Sequence, residues 1–515
     1  CCAASLAPRE VPGVWPRVFR FWGPAQLLWW CGGPLPAAGL AMFSPKKWAG
    51  LAWPDSDLRA KAGELQGGLA QLAAEAPRDL WVLLVIKFLE SFASFGTSIV
   101  LILFLTADLG FSDAAAALVF GVHGAAGAVL SYLGGVIVDY AGVKWTLTLG
   151  AVLLAAGRAV LAFSTSHSAV LASMCLLLPL GSALCMPVLA LGVRRSAPGA
   201  TRGFAFSLFY VVMNVACLAA CVFIHAIRTD VAEALVDPTA LAYEDSIHRG
   251  VLFAAFIASA ATLLLVPAVG VIDVAEAASG SGPADVLREL AADSGFWRFG
   301  GLTLLFAGVR MAFRHVDTTF PKLYEHMMGA QAPFECILAL NPALLLVLLP
   351  VVSHYTAQHR VPIKRCLLYG AFLSGASPFV LALSSRWQAA CCWITMLTLG
   401  EALWSPKLYE YSVSIAPLGR EGTYLAIASG PVFFAKIAAA ALSGVLVQDL
   451  CSSPLVGETF KPLVAALPQC SFIWFCIGLT TIACPVAMWF LQGVLFEQDK
   501  QEATYGATED AEATG

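Results

Sequence analysis

Charge is what this sequence is short of. Only 12% of its 515 residues are Asp, Glu, Lys or Arg, against 59% hydrophobic, where a soluble globular chain carries about 25% charged residues. That much apolar surface cannot be hidden in a water-soluble core, and a mean hydropathy of +0.77 points to a polytopic membrane protein. Basic clusters are missing too, so no nucleic-acid partner is expected, and the net charge of −4 names no other. The 15 cysteines form no C-x-x-C pair and no metal-ligand spacing; most lie in apolar segments, where they read as small buried residues. Cys451 and Cys470 share one expected outer loop and could be bridged, with free thiols as the other reading. There is no G-x-S-x-G elbow, no Walker loop and no His/Cys/Asp cluster. The chain is therefore not expected to be an enzyme or to hold a cofactor or metal, and any transport must draw on a gradient or run passively.

What is present is a series of apolar windows. They lie near 80–107, 112–138, 145–164, 168–192, 204–227, 249–272, 296–319, 334–356, 362–385, 388–412, 422–447 and 468–493, each long enough to span a bilayer. The longest gap, 273–295, is polar, carries a Gly-Ser-Gly-Pro break and divides six windows from six. The expected fold is an all-α membrane protein of twelve transmembrane helices, in two six-helix halves over 79–272 and 296–494, joined by a cytosolic linker. Residues 1–78 read as a poorly ordered leader, with Met42 as an alternative start and room for a targeting segment. Residues 495–515 are acidic and aromatic-poor, the composition of a disordered tail. Lys and Arg fall about two to one on the loops that share a side with both termini, which places those termini in the cytosol.

Between the second and third windows the chain reads GGVIVDYAGVK. This resembles the loop signature of the major facilitator superfamily, G-x-x-x-D-x-x-G-x-[KR]. Gly135 would let two helices approach closely. Asp139 would accept hydrogen bonds at a neighbouring helix N-terminus. Gly142 would permit a tight turn, and Lys144 would supply inner positive charge. An ordinary glycine turn beside a span is the plainer reading. The resemblance implies two halves that rock around a midplane site.

A narrower resemblance runs through five helices, in order, over most of residues 80–447. It is to the proton-coupled oligopeptide transporter family, which also contains peptide and nitrate carriers. In KFLESFASFG, Glu90, Phe92 and Gly96 match the family's E-x-x-E-R-F-x-x-Y-G, while Lys87, Ser91 and Phe95 replace an acid, the arginine and the tyrosine. GSALCMP keeps Pro187 but has Met186 where the family has lysine. FSLFYVVMN, NPALLLVLLP and GEALWSP are similar to the family's helix 5, 8 and 10 motifs. Of the helix 1 acids and arginine and the helix 4 lysine, which work together in the family, only Glu90 survives. The residues for its usual proton coupling are largely missing, and transfer of its peptide substrate is weakened with them.

Charges inside apolar spans are costly and normally face a cavity or a partner. Glu401, near mid-span, reads either as a site for a cationic group or a proton, or as half of a structural pair with Lys436 on the next helix. Lys87 and Glu90, three residues apart, share a face and could neutralise each other. Arg310, Arg314 and Asp317 line one face of helix 7. Arg310 is suited to binding a carboxylate or to gating against Glu90. Tyr210 and Asn214, four apart, read as cavity lining. His123, Arg158 and His225 are less specific, and Pro350 and Pro406 read as bends.

The sequence thus predicts a monomeric secondary active transporter in a plasma or organelle membrane. Its substrate would be a small polar organic solute, a peptide or amino acid first, with protons or another ion as coupling partner. Its rivals are a nitrate- or carboxylate-type anion carrier and a non-transporting receptor or scaffold of the same fold.

Overall fold

A computed structural model describes residues 75–196, 202–234, 241–270, 292, 294–329, 333–384, 386–415, 431–446 and 471–496. Most of the expected leader, linker and tail, together with Cys451 and Cys470, lies outside the described residues. The described elements are helical. In chain order they are α1 (Arg78–Leu103), α2 (Asp113–Phe163), α3 (His167–Ala172), α4 (Leu178–Ser196), α5 (Arg202–Ala234), α6 (Leu241–Leu265), α7 (Ser294–Thr318), α8 (Phe320–Met328), α9 (Phe334–Gln358), α10 (Ile363–Ala376), α11 (Pro378–Leu383), α12 (Trp387–Ser414), α13 (Pro431–Leu446), α14 (Ser471–Phe490) and α15 (Gln492–Leu495). Backbone in a bilayer must satisfy its own hydrogen bonds, and helices do so within one segment. Eight described stretches are long and apolar enough to cross a membrane, and Ala435–Gly444 is a shorter apolar helix. Large apolar side chains on their outer faces, Leu264, Leu383 and Phe490 among them, are exposed, as expected where lipid rather than water is the solvent.

Between the second and third expected spans the backbone stays helical in character through 113–163. His123 Nδ1 lies 2.8 Å from the Met174 carbonyl, and the Gly157 carbonyl accepts from Ser173 Oγ at 2.8 Å. In a straight helix residues 123 and 157 would be about 50 Å apart, yet both meet neighbouring residues. So α2 folds back between them, and its two arms are the two expected crossings. The side chains of 131–143, including Gly135, Asp139 and Gly142, are not described. Lys144 is: its Nζ donates to the carbonyls of Pro267 (3.1 Å) and Val269 (2.8 Å). A cation thus caps the C-terminal end of α6, where the helix dipole favours it.

The bundle has two ends. At one, Gly110 takes φ 67° in the turn from α1 to α2, and Ser112 Oγ caps α2 by accepting from Ala115 N at 3.3 Å. At the other are Lys144, Val269 and the start of α1.

Each half contains a close glycine crossing. A Cβ on Gly150 would lie 3.1 Å from the Gly181 carbonyl oxygen, and one on Gly370 would lie 2.8 Å from that of Gly400. Small residues let helices approach to van der Waals contact where lipid provides no hydrophobic drive. The crossings sit on corresponding pairs, the third and fourth spans of one half and the ninth and tenth spans of the whole. Aromatic packing anchors α8 under the second half, with Phe320 4.9 Å from Trp393 and Trp393 5.3 Å from Trp474.

Candidate functional site

Two buried polar clusters lie within the bundle, one in each half. In the first half, α1 presents Glu90, fully buried, to Arg158 on the second arm of α2 at 2.5 Å. Ser259 on α6 donates to the other Glu90 oxygen at 3.0 Å and also meets the Arg158 guanidinium. Carboxylate, guanidinium and hydroxyl therefore close a triangle among three helices. Ser94, Thr97, Ser98, His123 and Ser182 line a small pocket at Arg158. Lys87 is buried one turn from Glu90, with Nζ 4.6 Å from the Phe209 ring centroid.

This arrangement enlarges one expectation and corrects another. Glu90 pairs with Arg158 across helices, and its charge also acts on Lys87 one turn back along α1. The Arg310–Glu90 gate is not formed in this state: Glu90 is held by Arg158 and Ser259, and Arg310 Nε and Nη2 meet no acceptor among the described residues. Arg158 was undervalued because nothing in the sequence marks which of several buried cations will meet Glu90, 68 residues away.

In the second half, the Gly370–Gly400 crossing brings α10 against α12 and fixes where the next residue, Glu401, projects. Its carboxylate accepts from Asn341 Nδ2 on α9 at 3.0 Å, and the same amide lies 3.0 Å from Thr398 Oγ1. Pro342 and Pro350 lie inside α9 and Pro406 inside α12, with neither helix interrupted. On α7 the Arg310 guanidinium lies 5.1 Å from the centroid of the Trp404 ring. Its Nε and Nη2 are buried without a hydrogen-bond acceptor among the described residues. The charges of Arg310 and Arg314 both act on Glu401. Arg314 pairs with Asp317 at 3.1 Å, one turn along the same face.

Lys436 does not pair with Glu401 among the described contacts. The charges acting on it are those of Arg314 and Asp317, and its stem lies against α2, where a Cβ on Gly124 would be 2.6 Å from Lys436 Cδ. Equal depth on sequential helices was the basis for the expected pair, but α13 presents this lysine to the other half. The seam continues above and below: Gly121 faces Ala440, and Gly444 faces Ala114. Asn214 is buried and donates to the Tyr210 carbonyl one turn back at 3.0 Å, so its amide is engaged within α5.

A third set of charges joins the halves at the Gly110 end. Arg228 on α5 meets Glu325 on α8 at 2.8 Å and Glu335 on α9 at 3.7 Å. His225 meets Glu335 at 2.9 Å, and Lys322 on α8 meets Asp113 on α2 at 3.3 Å. Lys322 also donates to Thr106 Oγ1 at 3.1 Å, within the wide π-turn Phe104–Asp108 that follows α1. Asp108 in the same turn holds His248 at 2.7 Å.

The Major Facilitator Superfamily family model matches residues 83–441. The chain belongs to that superfamily. A crystal structure of a POT family transporter in complex with 5-aminolevulinic acid is 17% identical, with TM-score 0.63, over 82% of this chain and 97% of the other. An auto-inhibited POT family peptide transporter is 18% identical, with TM-score 0.64, over 80% and 96%. A point mutant of the nucleoside transporter NupG is 12% identical, with TM-score 0.62, over 81% and 100%. No curated protein sequence matches the chain. At these identities the structures establish a shared fold alone, all-helical and multi-pass; it is membership of the superfamily, from the family-model match over 83–441, that supports a secondary transporter.

Proposed function

We propose that this transporter moves a small zwitterionic organic solute, a peptide or an amino acid, by alternating access. One observation carries the reading: Glu401 and Arg310 lie on α12 and α7 of the same half, and Arg310 has two buried guanidinium nitrogens without acceptors among the described residues. Glu401 would take the amine of the solute and Arg310 its carboxylate, the latter through a planar two-point contact. Charges this deep in a bundle face a cavity or a partner, and a zwitterion would partner both. The POT family structures that share the fold, one in complex with 5-aminolevulinic acid, support the same class.

If protons couple this transport, Glu401 is the better carrier, because Glu90 is closed in by Arg158 and Ser259. Purified protein screened by thermal shift should be stabilised by dipeptides or amino acids more than by their N-acetylated forms, since a ligand that binds only the folded state raises apparent stability. Stabilisation by acetylated and free forms alike would remove the role of Glu401 at the amine.

A second reading rests on the charges that act on Glu401, which are those of two arginines, Arg310 and Arg314. An excess of cations suits an inorganic anion or a simple carboxylate. Nitrate or acetate uptake into proteoliposomes that persists in Glu401→Gln would favour it. Ligand stabilisation without any uptake would favour a receptor of this fold.

A further inference from the structure

From the contacts between α5 and α9 we infer a binding site for a transition-metal ion, with Zn2+ as its best occupant, clamping the two halves at the Gly110 end. The ligating atoms of His225, Glu335 and Cys336 lie within 4.8 Å of one another. His225 Nδ1 is 2.9 Å from Glu335 Oε1. Glu335 is buried to 1% exposure, and its Oε2 accepts no hydrogen bond among the described residues although Arg228 Nε stands 3.7 Å away. The His225 side chain is 17% exposed, which leaves a way in. Cys221, one turn before His225 on α5, is close enough to Glu335 and Cys336 for their charges to act on it.

Imidazole, carboxylate and thiolate together suit zinc rather than magnesium or calcium. Zinc bond lengths put tetrahedral ligand atoms roughly 3.3–3.8 Å apart, so the widest pair draws in by about 1 Å while His225 Nδ1 and Glu335 Oε1, now at 2.9 Å, part slightly. On binding, the Cys336 thiol gives its proton to solvent. His225 gives up the Nδ1 proton that it donates to Glu335 and takes one from solvent at Nε2, so the ring stays neutral and its Nδ1 lone pair is free for the metal; Glu335 stays ionised, and water takes the fourth position. The charges of Zn2+, one thiolate and one carboxylate cancel. Arg228 keeps Glu325 at 2.8 Å, so its charge is not stranded. Because α5 belongs to the first half and α9 to the second, the ion would hold that end shut; this consequence, unlike binding itself, rests on the alternating-access reading.

The test uses the purified full chain in detergent with Co2+ as probe. One equivalent should bind with a near-ultraviolet thiolate-to-cobalt band that Zn2+ abolishes. Cys336→Ser should lose the band, and His225→Gln should weaken binding tenfold or more while melting as the parent does. Absence of saturable binding, or a full band in Cys336→Ser, overturns the site. Should Cys336→Ser fail to fold, unchanged Co2+ affinity in His225→Gln overturns it equally. In proteoliposomes Zn2+ should inhibit uptake by the parent and spare His225→Gln. Undiminished uptake with the ion bound overturns the clamp but not the site, whereas a parent with no uptake of any solute counts against the transport reading alone.

Discussion

Glu90 and Arg158 show what one buried charge requires of its surroundings. With the carboxylate fully buried, removing either partner strands the other, at about 3–5 kcal/mol, while replacing both can be near neutral. Glu90→Gln and Arg158→Met should each lower the melting temperature strongly, and the double change should cost much less than their sum. Additive losses in a thermal double-mutant cycle would show that the two do not act as a pair. Glu401 should behave differently. Its described donor is Asn341, so Glu401→Gln should keep stability near that of the parent while cutting uptake of amine-bearing solutes tenfold or more, and adding Lys436→Met should restore nothing. Recovery of uptake in that double variant would mean the two side chains are coupled after all. At this scale the sequence was informative about which residues are expensive to bury and poor on how they pair. Glu90, Glu401, Arg310 and Lys436 all stand out in apolar runs, but choosing Arg158 over Lys87 for Glu90 depends on helix rotation, which no local spacing reports.

Helices and their crossings were more legible. Apolar windows matched to bilayer thickness coincide with the eight described stretches long and apolar enough to span, because length and hydropathy are properties of consecutive residues. The doubling back of α2 was legible as the gap between the windows 112–138 and 145–164, and Lys144–Phe163 is an apolar span of its own; what the glycine-turn pattern did not show is that the backbone stays helical through 113–163. The close crossing of α10 and α12 was half visible, since GEALW displays Gly400, but its partner Gly370 lies in an unremarked run. That crossing makes a sharp prediction. Gly370→Ala sets a Cβ 2.8 Å from the Gly400 carbonyl and 2.9 Å from the Trp404 nitrogen, and overpacking of this kind costs about 1–3 kcal/mol. Gly300→Ala, with nothing within 4 Å of its Cβ, is the matched control. Equal melting temperatures for the two variants would contradict a tight α10–α12 contact.

For the whole molecule, the charged contacts between halves among the described residues gather at the Gly110 end. Arg228–Glu325 and Lys322–Asp113 each join elements far apart in sequence, and both should break when that end opens. A partly exposed pair such as Lys322–Asp113 contributes about 0.2–1 kcal/mol, enough to shift a two-state balance by up to about fivefold. Lys322→Asp should therefore raise thiol labelling of a cysteine placed at this end, and the swap Asp113→Lys/Lys322→Asp should bring labelling back. Equal labelling of all three proteins would exclude this pair from the gate. The seam between α2 and α13 carries a different kind of information, about speed. Gly121 and Gly124 leave α2 without knobs of its own where α13 lies on it, so only the Ala440 methyl and the Lys436 stem of α13 ride in shallow gaps as one half rolls over the other. A methyl on Gly124 would press on Lys436 Cβ at 2.7 Å and act as a brake, slowing the turnover number while leaving the affinity of either resting orientation for its solute unchanged.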